Sequence, residues 1–401
     1  MLASQQIWWD VVPLHGASDQ VVTSELMART GVCCFPDVSA PFYLPIGQMM
    51  LRNLVSLVEY EADARGLVQI GMPLLVRDET LDRGEKIGDC FAEQVIGVSG
   101  RMSGYHLLFT PEPVILDVVG RQLLSYKQLP LRLCYHSDVF RALNDCKGIL
   151  KSREFKVFMA AAIDADSVLC RKSVDLFGEM AISVLKQLGV SAVSVDRDSG
   201  INVEFFYIST EGDPLALPGI CNGKEQRGLS LAMAYEYWPE GRLCVRFQDC
   251  RNKKRHVRMA TYGMGLQRVL YAVCDSCRDA RGFNLPAVIR PFELAIIPHR
   301  ETDVRRSLEV YRALRGRGIP VLLDDRCQLS GGVRAACADR IGVPQKAILT
   351  NSRAEIRSRS WPAVPSWDWN GRDVCDIVPW SPAGANLADR RGAAAGDSLA
   401  T

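Results

Sequence analysis

Two arginines from distant parts of the 401-residue chain are the first candidates for chemistry. Arg141 closes a predicted strand before a polar turn, and Arg268 follows a glycine-rich bend at the predicted start of a helix. Guanidinium groups bind phosphates and carboxylates through paired hydrogen bonds, and glycines let a backbone approach a ligand closely. Together the two arginines would hold a bent triphosphate and stabilise the charge that builds at its α-phosphorus. Either signal alone is weak.

The elements predicted around these arginines favour an α+β domain. Strands joined by hairpins, with helices gathered separately, are typical of an antiparallel sheet. Apolar residues at helical spacing predict helices over 48–64, 113–124 and 174–188. Alternating or β-branched runs predict strands over 67–73, 131–141, 153–160, 203–208, 232–238 and 243–247.

The pattern changes after residue 282. Predicted strands over 292–297, 319–323 and 346–350 alternate with predicted helices over 302–315 and 333–340. This βαβαβ order predicts a small α/β domain with a largely parallel sheet. We therefore expect a catalytic domain over 1–285 and a second domain over 286–382, with a disordered Ala/Gly-rich tail over 383–401.

Composition is typical of a soluble globular protein, with 48% hydrophobic and 23% charged residues. The formal net charge is only +2, so a nucleic-acid partner would need a local basic face. We expect no signal peptide, no membrane span, and a cytoplasmic protein with reduced thiols. The pair Cys274 and Cys277 has no second pair at zinc-ligand spacing, so we predict no protein-bound metal site.

The order of short motifs resembles the prolyl-tRNA synthetase family of class II aminoacyl-tRNA synthetases. The resemblance runs from about residue 30 to 350, and the segments at 316–326 and 332–344 look like that family's anticodon-binding domain. The large editing insertion of many bacterial members is missing. The motifs of the catalytic part are LPIG at 44–47, MP at 72–73, TPE at 110–112, SYKQLPLR at 125–132, VFR at 139–141, GILKSREF at 148–155 and MATYGMGLQR at 259–268.

The resemblance implies an antiparallel class II catalytic core, a homodimer, and the joining of an amino acid to ATP with magnesium. Arg141 would hold the α-phosphate and the amino-acid carboxylate, Phe155 would stack on adenine, and Arg268 would bind the γ-phosphate. Thr110 and Glu112 would receive the substrate amino group. The amino-acid site would further include Leu229 and Thr261, and the ATP site Lys151, Arg153, Gln226, Gly263 and Gly265.

Several positions depart from the family pattern. Leu143 stands where the family has a glutamate, and Phe158 and Met159 replace a Lys-Asp pair. Leu229 replaces a pocket histidine, and Gln226 replaces the carboxylate expected to bind magnesium. An amide brings no charge to a divalent cation, so that metal site would be weak or lost. The apolar replacements change what the pocket can recognise and count against proline as the substrate, and the amino acid stays open.

Two functions remain open at this stage. The first is an enzyme that makes an aminoacyl adenylate and transfers the acyl group to tRNA, a small molecule or a carrier protein. The altered pocket favours a specialised enzyme, whereas the C-terminal domain favours tRNA. The second is an inactive synthetase-like protein that binds tRNA, nucleotide or a protein partner. For single positions such as Thr110 a structural role, for example a helix cap, is at least as probable.

Overall fold

The structure is a computed structural model that describes residues 21–82, 93–123, 125–197, 202–215, 226–237, 244–359 and 367–368. The tail predicted over 383–401 lies outside these residues. The described helices are α1 (Thr23–Arg29), α2 (Pro45–Asp63), α3 (Asp78–Asp82), α4 (Glu112–Gln122), α5 (Ser167–Gln187), α6 (Leu266–Ser276), α7 (Val304–Gly316) and α8 (Gly331–Arg340).

The strands are numbered in chain order. They are β1 (Cys33–Asp37), β2 (Ala40–Tyr43), β3 (Val68–Gln69), β4 (Leu75–Arg77), β5 (Tyr105–Leu107), β6 (Leu131–Phe140), β7 (Glu154–Asp164), β8 (Val193–Arg197), β9 (Asn202–Leu215), β10 (Gln226–Tyr237), β11 (Arg246–Gln248), β12 (Lys254–His256), β13 (Arg258–Gly265), β14 (Arg278–Asp279), β15 (Gly282–Phe283), β16 (Leu294–Pro298), β17 (Val321–Leu323), β18 (Gln345–Leu349), β19 (Arg353–Ser358) and β20 (Trp367–Asp368).

These elements fall into two compact units. The first contains the described residues of Pro36–Pro41 and Val58–Ala272, and the second those of Met1–Phe35, Phe42–Leu57 and Val273–Thr401. The predicted domain boundary at residue 285 stays a prediction.

A seven-stranded sheet forms the centre of the first unit, in the order β3-β6-β7-β13-β10-β9-β8. Strand β3 runs parallel to β6, and every other neighbouring pair is antiparallel. The predicted α+β class with an antiparallel sheet is therefore confirmed.

The two faces of this sheet have different coverings. Helix α5 packs on one face, where the ring centroids of Phe177 and Tyr262 are 5.9 Å apart. This helix starts at Asp166, whose carboxylate accepts the backbone N–H groups of Val168 and Leu169 at 2.9 Å. The apolar side of α4 joins a core cluster that includes Tyr135 and other residues of the opposite face. The part of that second face beyond α4, called the free face below, lines a cavity.

The second unit contains a five-stranded sheet in the order β17-β16-β18-β19-β20. Strand β16 pairs in parallel with β17 and β18, whereas β19 and β20 are antiparallel additions. Helix α7 buries Val310, Tyr311 and Leu314 in the cluster that covers these strands. The predicted βαβαβ order is confirmed, and the antiparallel extension was not predicted.

Two local predictions need correction. The glycine-rich segment before Arg268 is not a bend, because Ala260 to Met264 pair on both sides, with β7 and with β10, as part of β13. The strand predicted over 243–247 is the short β11, which begins only at Arg246. Among the described helices, none combines the length and apolar character needed to cross a bilayer.

Candidate active site

A cavity of about 390 Å³ opens on the free face of the seven-stranded sheet. Strands β7, β10 and β13 contribute to its wall, together with the segment before α4 and the loop between β6 and β7. The charged side chains that line it are Arg141, Lys151, Arg268 and Glu112. A lining with three cations and one carboxylate suits a ligand that carries several negative charges and one positive charge.

Arg141 directly follows β6 and contacts two aromatic rings. Its guanidinium carbon lies 5.2 Å from the ring centre of Phe109 and 5.2 Å from that of Phe155. Its Nε is buried and has no hydrogen-bond partner among the described residues. Burial lowers the pKa of Arg141, and the nearby Glu112 and Tyr235 oppose that shift. A buried N–H without a described partner is a donor that an anionic ligand could accept.

Arg268 reaches the same cavity from the first turn of α6. Its Nε donates to the carbonyl oxygen of Leu150 at 2.8 Å, and one terminal nitrogen donates to that of Ser230 at 3.3 Å. Burial lowers the pKa of Arg268, Asp213 opposes this, and Arg141 lowers the pKa further. The two guanidinium groups therefore meet at one cavity, as predicted from the sequence.

Glu112, the first residue of α4, is the carboxylate of this cavity. It is 1% exposed and accepts hydrogen bonds from the hydroxyl groups of Thr110, Tyr235 at 2.9 Å and Thr261 at 3.1 Å. Burial raises the pKa of Tyr235 well above its ordinary value, so the phenol stays a donor. Because all three hydroxyl protons point at Glu112, these oxygens offer only lone pairs to a ligand. An ammonium group, which only donates, fits such a site.

The loop between β6 and β7 brings Lys151 to the cavity. Lys151 pairs with Asp145 at 2.5 Å, and its carbonyl oxygen accepts the backbone N–H of Lys147 at 2.8 Å. Gly148 has a φ of 56°, a left-handed conformation that glycine adopts without strain, and its N–H donates to the carbonyl oxygen of Val38. These contacts fix the loop in the absence of ligand.

Gly263 and Gly265 both line the cavity, but only one is required by close packing. A Cβ on Gly263 would lie 2.9 Å from the sulfur of Met159, which is its partner across the β7–β13 ladder. A Cβ on Gly265 would meet only the Arg268 side chain, at 3.8 Å or more. Gly263 thus leaves space for the side chain of Met159. Met159 and Leu143 form part of the apolar wall of the cavity.

Several predicted site residues lie outside the lining. Phe158 is wrong as a pocket residue, because Phe155, Val157 and Met159 line the cavity and alternate residues of a strand face opposite sides. The prediction that Leu229 lines the cavity is also wrong. Leu229 is buried, and the part of β10 that lines the cavity begins at the next residue, Ser230.

Three further predicted residues support the cavity or flank it. Thr261 contacts the site through its bond to Glu112. Arg153 is exposed, and its Nε donates to the carbonyl oxygen of Leu143 at 2.8 Å, so it braces the loop instead of lining the cavity. Gln226 opens β10 outside the lining, and its Oε1 is buried without a hydrogen-bond partner among the described residues.

The described residues do not offer a set of ligands for magnesium. Within the described ranges, no group of three His, Cys, Asp or Glu side chains has the arrangement to hold a metal ion. The carboxylate that lines the cavity, Glu112, already accepts three hydroxyl groups, and Gln226 offers only a neutral amide oxygen. The side chains present therefore do not fit a protein-held magnesium ion.

Sequence reasoning missed two residues that shape the site. Phe109 covers one face of Arg141, and Tyr235 donates to Glu112. Phe109 directly precedes the motif at 110–112, which was the available signal. Nothing in the local sequence marks Tyr235, because its contact to Glu112 joins residues that are 123 positions apart.

Comparisons with known proteins show similarity to one family of enzymes. Residues 101–277 match the family described as the tRNA synthetase class II core domain (G, H, P, S and T). The chain is 23% identical over 410 residues to the proline–tRNA ligase of Rhodopseudomonas palustris (strain BisB5), covering 85% of this chain and 92% of that protein. It is 25% identical over 390 residues to the proline–tRNA ligase of Caulobacter vibrioides, covering 82% and 87%.

Solved structures show the same fold. The Giardia lamblia prolyl-tRNA synthetase in complex with prolyl-adenylate superposes with a TM-score of 0.72 at 19% identity, covering 86% of this chain and 74% of that one. The Cryptosporidium parvum prolyl-tRNA synthetase complexed with halofuginone and AMPPNP gives a TM-score of 0.71 at 15% identity, covering 90% and 76%.

Proposed function

We propose, from the premise that this chain contains a tRNA synthetase class II core domain over residues 101–277, that its cavity binds ATP and an amino acid and joins them as an aminoacyl adenylate. The observation that carries this proposal is Arg141, whose buried Nε has no hydrogen-bond partner among the described residues and which shares one cavity with Arg268 and Glu112. Separate sites for an anion and for an amine are what an amino acid and a triphosphate require.

The chemistry needs placement and charge neutralisation, and no protein nucleophile. The substrate ammonium binds Glu112, and the substrate carboxylate lies toward Arg141. One carboxylate oxygen attacks the α-phosphorus of ATP, a new P–O bond forms, and the bond to the β-phosphate oxygen breaks to release pyrophosphate. Arg141 stabilises charge at the α-phosphate, while Arg268 and Lys151 bind the departing phosphates. Magnesium would enter as the counter-ion of ATP, with no ligand assigned to this chain.

The amino acid we propose is not proline. Leu143 and Met159 give the cavity apolar walls where the resemblance to prolyl-tRNA synthetases predicts polar groups. A wall of this kind favours an apolar side chain and discriminates weakly between similar ones. After activation, the acyl group would pass to tRNA, as the names of the relatives suggest, or to a small molecule or carrier protein. A homodimer, a magnesium requirement and an anticodon-binding role for the C-terminal domain belong to the same proposal.

The test is amino-acid-dependent exchange of pyrophosphate into ATP across a full amino-acid panel. We expect exchange with one or a few apolar amino acids, and a loss of at least about a hundredfold in Arg141→Ala and Arg268→Ala, since each removes a charge that stabilises the transition state. Arg255→Ala is the matched control, because Arg255 is an exposed residue paired with Asp249 outside the cavity lining. Addition of total tRNA then tests for acid-stable aminoacylation.

Silence with every amino acid, in magnesium and in manganese, would contradict the enzyme. Nucleotide binding that persists in that case would support the inactive binder, which the neutral Gln226 favours. Near-normal exchange in either cavity arginine variant would remove the role proposed for that residue.

A further inference from the structure

Arg141 forms no ion pair with any described acidic side chain. This is so although Arg141 is half-buried and its Nε is fully buried. The two neighbours that cover it are the rings of Phe109 and Phe155, each 5.2 Å from the guanidinium carbon.

Aromatic faces hold a cation in a way that an acid cannot. A carboxylate partner would cancel the positive charge and occupy N–H donors, so less of both would remain for a substrate. A ring attracts the cation through its quadrupole and takes no N–H in the plane of the guanidinium. Two rings at this distance therefore hold the position of Arg141 and leave its charge and its N–H donors available.

We propose that Phe109 is a positioning residue for Arg141, an inference that rests on the proposed function of the cavity. Phe109 and Phe155 form an aromatic clamp that keeps the guanidinium in place before the phosphates and the amino-acid carboxylate arrive. Phe109 is the member that the resemblance to known synthetases leaves without a role.

The backbone shows how Phe109 is held in place. The N–H of Phe140, the residue before Arg141, donates to the carbonyl oxygen of Leu108, the residue before Phe109, at 2.9 Å. Leu108 itself donates to the carbonyl oxygen of Leu74 at 2.8 Å. The ring and the guanidinium therefore extend from neighbouring backbone positions that are tied by a hydrogen bond. Because Glu112 follows on the same short segment, this segment aligns the cation site with the amine site.

The clamp is tested by a double-mutant cycle between Phe109→Leu and Arg141→Ala, read by equilibrium binding of ATP. Phe109→Leu alone is expected to weaken ATP binding about tenfold, the scale of one desolvated cation–π contact. In the Arg141→Ala background the same change should alter binding less than about twofold. Phe109→Tyr, which keeps the ring, should bind ATP within about threefold of the unchanged protein. Phe247→Leu is the matched control, because Phe247 is as buried as Phe109 but lies in the α4 core cluster.

A second readout needs no ligand. The unchanged protein, Phe109→Leu, Arg141→Ala and the double variant are also unfolded in urea. If the clamp exists, the effect of the double variant on the unfolding equilibrium constant should be smaller than the product of the two single effects by about threefold or more. The clamp is overturned if the two effects multiply in both experiments, or if Phe247→Leu weakens ATP binding as much as Phe109→Leu. If no amino acid supports exchange, the proposed function fails, and the unfolding cycle still decides on the clamp.

Discussion

At the scale of single residues, the cavity separates its charges with unusual clarity. Glu112 accepts hydrogen bonds from three hydroxyl groups. Arg141 contacts two aromatic rings, and its Nε has no hydrogen-bond partner among the described residues. The hydroxyl groups of Thr110, Tyr235 and Thr261 donate to the carboxylate of Glu112 and hold its orientation. A substrate with an ammonium at one end and an anion at the other is thereby oriented before any bond forms.

Glu112→Gln should therefore affect the amino acid more than ATP. The amide keeps the size of the side chain but removes the charge that pairs with the ammonium, so kcat/KM for the amino acid should fall about a hundredfold. KM for ATP should stay within about threefold. Steady-state pyrophosphate exchange, with each substrate varied in turn, measures both quantities.

Thr261→Val provides the graded comparison. It removes one donor to the same carboxylate at nearly constant volume, and a loss of about tenfold for the amino acid is expected. Equal losses for ATP and amino acid in Glu112→Gln would mean that this carboxylate does not bind the amine.

The residue roles that sequence could supply were those tied to motifs. Arg141, Arg268 and Glu112 could be identified from the sequence because each lies in a motif whose order along the chain is recognisable. Phe109 and Tyr235 could not be found in this way, because a cation–π contact and a hydrogen bond across more than a hundred positions leave no local pattern.

At the scale of elements, the wall of the cavity depends on the pairing of β7 with β13. Met159 lies opposite Gly263, and the sulfur of Met159 occupies the space where a Cβ of residue 263 would stand. The side chain of Met159 is flexible and lines the cavity, so we expect a displaced Met159 to enter the cavity.

Gly263→Ala should therefore narrow the amino-acid site without unfolding the sheet. We expect KM for the amino acid to rise about tenfold, while the melting temperature changes by only a few degrees, because the contact at 2.9 Å is with a flexible side chain. Pyrophosphate exchange and thermal unfolding provide the two measurements.

The partner substitution separates this mechanism from general damage. Met159→Ala in the Gly263→Ala background removes the displaced sulfur and should restore most of the affinity. Gly265→Ala is the control, since a Cβ there has ordinary contacts only. Failure of Met159→Ala to restore the affinity would contradict a role for this cross-strand contact.

Sequence patterns predicted most elements and failed at strand faces. The helix over 45–63 and the strands on either side of Arg141 follow from periodicity and turn residues. The interpretation of the segment before Arg268 was wrong, because its glycines suggest a bend, whereas the segment is a strand in which Gly263 allows close packing against Met159. Phe158 was assigned to the wrong side because a shift of one position in a strand reverses the face.

At the scale of the whole molecule, both compact units bury ionisable thiols. Cys33 belongs to the second unit and Cys134, in β6, to the first, and both are buried. Burial raises the pKa of Cys33 to about 12, with a smaller contribution from Cys34. Burial likewise raises the pKa of Cys134 to about 11, with smaller contributions from Glu59 and Asp63. Each unit is therefore linked to pH through a thiol that must stay protonated in the fold.

The chain should lose stability in mild alkali. A thiol in the unfolded chain ionises near pH 9, whereas Cys134 in the folded chain stays protonated to about pH 11. The unfolded state thus releases its proton first, so the contribution of Cys134 is fully present below pH 9 and is lost as the pH rises from 9 to 11. Between pH 7.5 and 10 this single group lowers the free energy of unfolding by about 1 kcal/mol. Cys134→Ala should reduce the alkaline loss by that amount in urea unfolding under reducing conditions, whereas Cys250→Ala, at an exposed position, should leave it unchanged. Parallel pH curves for Cys134→Ala and the unchanged protein would rule out this linkage.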